Sequence, residues 1–196
     1  MTGPANSLKF TRINSDGVYY PHLKTSLRHS VKFDVFDNNE QIATLATNNR
    51  KTFTLTKEDI HLSIKSNWSW QNKWRYFIFK DNQVLLAKIY IHRPVVLSWF
   101  RPTVYTITFE KSGCIYSLTR RRRKDWKYIN ADFCYDFTLD GEIKCSIVNL
   151  KKVKGFYNPR TIAQEGIIEY EDPINLEQVL CFLQFMNIAI DMEFDI

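Results

Sequence analysis

From residue 31 to residue 170 the chain consists of short runs in which apolar and polar residues alternate, rich in Phe, Tyr, Ile, Val and Thr. Alternation with a period of two puts successive side chains on opposite faces of an extended chain, so each run predicts a β-strand. About a dozen runs fit: 31–36, 41–47, 52–56, 60–66, 73–79, 84–91, 103–110, 114–119, 126–139, 143–149, 153–157 and 166–170.

The segments between these runs are short and contain residues that tolerate a positive φ angle, which two-residue hairpins require. They include Asp37-Asn38-Asn39, Asn48-Asn49, Asp81-Asn82, Ser112-Gly113 and Asp140-Gly141. Neighbouring strands are therefore predicted to pair as an antiparallel meander.

A different pattern follows in residues 176–190, where the only polar residues are Glu177, Gln178, Gln184 and Asn187. The apolar residues fall on every side of a helical wheel, which is typical of a helix surrounded by protein. Asp172-Pro173 is a start signal, so we predict a helix over about 174–190. Its apolar part measures about 22 Å, too short for the roughly 30 Å of a membrane core. The predicted core residues of this helix are Leu180, Cys181, Leu183, Met186, Ile188 and Ala189.

A dozen meandering strands and one enveloped helix favour a mainly β fold. A closed antiparallel barrel of about twelve strands removes the exposed sheet edges and encloses the hydrophobic C-terminal helix. A length of 196 residues with 44% hydrophobic content suits one core rather than two. We therefore predict a single barrel domain over 31–196, preceded by a partly ordered N-terminal arm, 1–30, with at most one short strand.

The letters of the helix resemble a known family. Residues 180–190 read Leu-Cys-Phe-Leu-Gln-Phe-Met-Asn-Ile-Ala-Ile. The central helix of the tubby C-terminal domain has the pattern Leu-Cys-x-Leu-Gln-x-Phe-x-Ile-Ala-Leu, and eight positions agree or nearly agree. The tubby-like superfamily, which includes phospholipid scramblases and LURP-one-related proteins, has a closed twelve-stranded barrel around such a helix. The chain is shorter than animal and plant tubby proteins and lacks their Phe-Gly-Arg strand before the helix, which indicates a remote branch.

Charge points to acidic partners. The formal net charge is +6 and the isoelectric point is about 9.1, which favours nucleic acid, anionic lipid or an acidic protein; a merely solvated basic surface is the alternative. The resemblance implies a phosphoinositide headgroup, which tubby domains bind through basic residues of the barrel wall. The family's lipid-contacting strand does not align with this sequence, so none of its residues is carried over.

The strongest basic run lies where the strand 114–119 is predicted to turn into the next one. Guanidinium groups at a hairpin tip are suited to bidentate hydrogen bonds with phosphate. The alternative interpretation of the same residues is a solvated, positively charged loop without a ligand. Lys151 and Lys152 belong to a second basic run, which would form one anion-binding surface with the first if the two runs lie close in space. The candidate anion-binding residues are Arg120, Arg121, Arg122, Arg123, Lys124, Lys127, Lys151 and Lys152.

Residues 93–102 are apolar between two Arg-Pro bookends. Proline at both ends keeps such a segment out of a central ladder. Trp99, Phe100 and Arg101 are the candidate residues of a loop that contacts a membrane or a partner, and a crossover that plugs one barrel mouth is the other reading.

The four cysteines have no CxxC spacing and are predicted to be buried, reduced thiols. The N-terminus has no apolar signal region, which predicts a cytoplasmic protein, peripheral at the inner membrane face. Nucleophile-elbow, zinc-protease, phosphate-loop and dinucleotide motifs are missing, and the histidines lack metal-ligand spacing. We therefore predict no enzyme, no cofactor and no metal.

Three functions remain in order of preference. The first is a monomeric, tubby-like module that binds acidic phospholipid without a transmembrane span. The second is a scaffold or inhibitor that binds an acidic protein surface without lipid. The third is non-specific nucleic-acid binding, which lacks any recognition helix or RNA-binding strand motif.

Overall fold

A computed structural model describes residues 6–13, 31–47, 52–54, 61–69, 73–81, 83–92, 103–122, 133–155 and 158–193, some of them by their backbone alone. In this part of the chain there are twelve strands and one helix. The strands are β1 (Asn6–Ile13), β2 (Val31–Asp37), β3 (Glu40–Thr47), β4 (Thr52–Thr54), β5 (His61–Ser69), β6 (Lys73–Lys80), β7 (Val84–His92), β8 (Val104–Phe109), β9 (Ile115–Arg122), β10 (Phe133–Leu139), β11 (Glu142–Gly155) and β12 (Asn158–Tyr170), and the helix is α1 (Leu176–Glu193).

All twelve strands belong to one antiparallel sheet, in the order β3-β2-β1-β12-β11-β10-β9-β8-β7-β6-β5-β4. From β4 to β12 each strand is hydrogen-bonded to the next in sequence, as the short predicted hairpins require. The sheet then continues from β12 to β1, the first strand of the chain, and on to β2 and β3.

The strand β1 lies inside the stretch predicted as an arm. It pairs with β12 on one side and β2 on the other, so it is an internal strand of the sheet rather than an appendage. Leu8 and Phe10 alternate with exposed Ser7 and Lys9, and both apolar side chains are buried in the common core. The prediction allowed one short strand in this stretch, and β1 is a strand, but its place inside the sheet was not predicted.

A second difference in strand assignment arises from bulges in β11. The predicted run 143–149 and residues 153–155 of the run 153–157 belong to one strand, β11, which stays paired with β12 through register shifts between Val148 and Lys151. Residues 156 and 157 lie outside the described residues. A bulge inserts residues without ending a strand, so it interrupts the alternation of the sequence while the ladder continues. The described sheet has about twelve strands, as predicted. Its strands are not all the predicted ones, because β1 was not among the predicted runs and β11 contains residues of two of them.

One hydrophobic core joins the sheet to the helix. Every strand except β4, whose side chains lie outside the description, contributes buried apolar residues to it. Residues 179–186 of α1 are all buried, and eight consecutive residues make more than two turns at 3.6 residues per turn. The helix is therefore covered on all sides along this stretch, and each of its six predicted core residues is at least nine-tenths buried.

Phe182 holds the centre of this core. Its ring centroid lies 4.4 Å from that of Phe137, 5.1 Å from that of Tyr116 and 5.4 Å from that of Phe109. The last two contacts are edge-to-face, the arrangement that the ring quadrupoles favour. One helical residue thus packs on β8, β9 and β10 together.

The helix begins slightly later than predicted. The Asn175 side-chain oxygen accepts a hydrogen bond of 2.9 Å from the amide of Gln178, and the Gln178 side chain accepts one of 3.0 Å from the amide of Asn175. This reciprocal pair is a capping box. Asp172-Pro173, predicted to start the helix, lies in the preceding turn instead, where the Asp172 carboxylate accepts a hydrogen bond from Asn6.

The hydrogen-bonded ladder is open at one place. Within the described residues no ladder joins β3 to β4, the two edges of the sheet, although some of their Cα atoms approach within 8 Å. The described part of the chain also contains no helix of the length and hydrophobicity needed to cross a membrane.

Candidate anion-binding site

Tight turns gather at one end of the sheet, which we call the turn end. It carries the hairpins β2/β3, β6/β7, β8/β9 and β10/β11 and the connection from β12 to α1. The turn residues with positive φ are Asn38, Asn39, Asp81, Gly113, Asp140 and Gly141. These are the residues whose identity predicted hairpins, and their backbone conformation confirms them.

The opposite end is the place where β9 finishes with three arginines, and we call it the arginine end. Arg120, Arg121 and Arg122 pair in register with Tyr135, Cys134 and Phe133. The sequence predicted these arginines at a hairpin tip, whereas they are strand residues, because β9 continues three residues past its predicted end.

Arg120 shares the strand face of Tyr116 and Leu118, which are core residues, and it is itself half-buried. Arg121 and Arg122 are described by their backbone only. Successive residues of a strand alternate between its faces. The three arginines therefore occupy alternating strand positions rather than a single exposed tip.

The second basic run lies at the same end. On β10 and β11, Tyr135 pairs with Ile147, and Lys151 and Lys152 follow four and five residues further along β11. That direction leads toward the start of β10, which faces the arginines. Strands two places apart are separated by about 10 Å. The lysines and arginines, some thirty residues apart in sequence, are thus brought to one end of the sheet.

Several predicted site residues lie outside the described residues. They are Arg123, Lys124 and Lys127 of the basic run and Trp99, Phe100 and Arg101 of the candidate interface loop.

The turn end has the opposite charge. Its segments 37–40, 80–83, 110–114, 140–144 and 171–177 contain nine carboxylates and three lysines, a formal charge of −6. Since the whole chain is +6, the remainder carries +12. The carboxylates are Asp37, Glu40, Asp81, Glu110, Asp140, Glu142, Glu171, Asp172 and Glu177, and the lysines are Lys80, Lys111 and Lys144. This separation was not predicted from the sequence, because the nine carboxylates are spread over five segments and form no acidic run.

Ion pairs organise part of the turn end. Lys144 lies 2.7 Å from Glu142 and 3.1 Å from Glu171. The hydrogen bond from Lys144 lowers the pKa of the Glu142 carboxyl, and the bonds to Glu142 and then Glu171 raise the pKa of Lys144. Lys80 pairs with Glu177 in the first turn of α1, which fixes the start of the helix at this end. The helix therefore runs inside the fold toward the arginine end.

The last turn of α1 contains Asp191 and Glu193 and no basic residue. Carboxylates at this position oppose the negative end of the helix dipole.

Chemistry beyond charge is sparse in the described residues. Among them no group of three or more His, Cys, Asp and Glu side chains is arranged to hold a metal ion. Asp136 is buried on the outer face of β10 and accepts a 2.7 Å hydrogen bond from the Ser146 hydroxyl. Burial raises the pKa of the thiols of Cys145 and Cys181, which suits inert core residues.

No family model, curated protein or solved structure matches this chain.

Proposed function

We propose that this chain is a tubby-like binding module, without enzymatic activity, that attaches to anionic phospholipid at a membrane surface through its arginine end. The observation that carries the proposal is the meeting of two basic runs at one end of the sheet while the other end is acidic. Arginine and lysine at a surface bind phosphate groups by bidentate and point-charge contacts.

The proposal includes closure of the sheet into a barrel. All consecutive strands except β3 and β4 are paired, and β12 pairs with β1, so only that one neighbouring pair is missing from a cyclic order. Four residues separate Thr47 from Thr52, and an extended link of five peptide units reaches at most about 18 Å. The covering of α1 on all sides supports the same arrangement. This architecture is the one that the helix resemblance implies.

The binding test is sedimentation with vesicles made of equal parts phosphatidylcholine and phosphatidylserine, with phosphatidylcholine vesicles as the blank. Each basic residue near an anionic membrane contributes about 1 kcal/mol. The variant Arg121→Glu with Arg122→Glu should therefore weaken binding by at least about thirtyfold. Lys151→Glu with Lys152→Glu should also weaken binding, but by less, because Lys151 lies opposite Glu165 in the β11/β12 ladder. Added salt should weaken the wild-type interaction.

A matched control removes the same formal charge elsewhere. Lys9 is exposed on β1 and Lys111 is exposed in the β8/β9 turn, so Lys9→Glu with Lys111→Glu changes net charge equally but leaves the arginine end intact. This variant should bind almost as wild type. Equal losses in control and test variants would show attraction to net charge alone, and lack of sedimentation by the wild type would reject the function.

A further inference from the structure

We propose that the domain docks on the membrane end-on, with its strands steep to the bilayer and its turn end facing away. This inference rests on the proposed function and adds the geometry of the bound state. It follows from the separation of charge along the strands, which a side-on arrangement of the same residues would not exploit.

The two ends are far enough apart for only one of them to interact with the charge of the membrane. Along β9, Ile115 at the turn end and Arg122 at the arginine end are seven residues apart, or about 23 Å at 3.3 Å per residue. Electrostatic interactions fall off over about 8 Å at physiological salt. With the arginine end on the bilayer, the carboxylates of the turn end lie more than two screening lengths from the lipid phosphates.

A side-on arrangement places charges of both signs at the lipid. If the outer faces of β9, β10 and β11 lay flat on the surface, Asp140 and Glu142 would come as close to it as Arg121, the arginine at an outer-face position of β9. Glu142 is exposed and Asp140 occupies the hairpin tip with a positive φ angle. Both would meet a surface of their own charge, so the field of the membrane turns the molecule onto its arginine end.

The chain carries a convenient reporter of this orientation. Of its four cysteines, Cys114 is partly exposed and the other three are buried. Cys114 lies in the β8/β9 turn, at the turn end. Thr119 is exposed five residues along, beside the arginines, about 17 Å further along the strand. A Thr119→Cys variant in a Cys114→Ser background moves the reporter to the other end.

The experiment attaches the same fluorophore at either position and measures quenching by a spin label on the lipid headgroup. The vesicles contain equal parts phosphatidylcholine and phosphatidylserine, and the protein is the full chain. End-on docking predicts quenching several-fold stronger at position 119 than at position 114. If labelling at position 114 disturbs the fold, exposed Ser112→Cys in the Cys114→Ser background supplies the turn-end reporter.

A charge variant tests the cause of the orientation. Glu40→Gln, Asp81→Asn and Asp140→Asn reduce the turn end from −6 to −3. Asparagine tolerates the positive φ of the two aspartates. The bound fraction should stay constant or rise, while the ratio of quenching between the two positions should fall toward one.

The outcomes separate this inference from the function. Sedimentation with equal quenching at both positions, or stronger quenching at position 114, overturns end-on docking while the lipid-binding function stands. An unchanged ratio in the charge variant overturns the electrostatic basis of the orientation. If the wild type does not sediment at all, the function fails and the orientation falls with it.

Discussion

The substitution Gln184→Met should stabilise this protein. Gln184 lies mid-helix, is 1% exposed, and its side-chain oxygen has no hydrogen-bond partner among the described residues. A buried acceptor that loses its hydrogen bonds to water costs about 1–3 kcal/mol. Methionine has a similar length and adapts its shape to an existing space. We therefore expect the free energy of unfolding to increase by about 1–2 kcal/mol.

A control on the same helix should respond in the opposite direction. Gln178 is partly exposed, and its side-chain oxygen accepts the hydrogen bond from the Asn175 amide in the capping box. Gln178→Met removes that bond with the same change of chemistry, and the loss of a cap costs about 1 kcal/mol. The two positions differ in whether the side-chain oxygen has a hydrogen-bond partner and in how deeply the side chain is buried.

Urea unfolding of both variants, followed by circular dichroism and tryptophan fluorescence, measures the difference. An unchanged slope against denaturant would show that stability alone has changed. If Gln184→Met lowered the free energy of unfolding by 1 kcal/mol or more, the amide would have a satisfied hydrogen bond in solution, through a buried water for example. The account of an unpaired acceptor in the core would then be refuted.

Two further predictions follow from the core. Phe182→Ala should lower the free energy of unfolding by about 3–5 kcal/mol, because the lost ring leaves a cavity between three strands; a loss below 1 kcal/mol in urea unfolding would contradict its central position. Native protein should react with a thiol reagent at Cys114 alone and at all four cysteines after unfolding, since the other three are buried; rapid native reaction of Cys145 or Cys181 would contradict the enclosed helix.

Local rules account for most of the fold. The hairpins were predictable because Asp140-Gly141 and its counterparts are residue pairs that accept a positive φ. The buried helix was predictable because its apolar residues surround the wheel. The start of the helix was not, since Asp172-Pro173 and Asn175 both carry capping signals and only the tertiary structure chooses between them. Even there the error is a few residues, the usual uncertainty of a helix boundary.

The features that were not predicted, the pairing of β1 and the continuity of β11, depend on contacts between distant parts of the chain. The strand β1 is stabilised by β2 and β12, and its partner β12 lies some 150 residues away in sequence. A short strand in this stretch was allowed by the prediction, but its place between β2 and β12 was not predicted. The continuity of β11 through its bulges depends in the same way on β12, which supplies a template along the whole length.

The candidate site depends on the register of the strands more than on the composition of the chain. Arg122 and Lys151 meet at one end only because β9, β10 and β11 pair in the observed alignment, which the Asp140-Gly141 hairpin fixes between the last two. A shift by one residue along any of these strands would exchange the faces of every side chain on it. The basic runs could therefore be read from the sequence, but their position opposite the acidic turn end could not. That opposition is the feature on which the proposed oriented contact with an anionic surface rests.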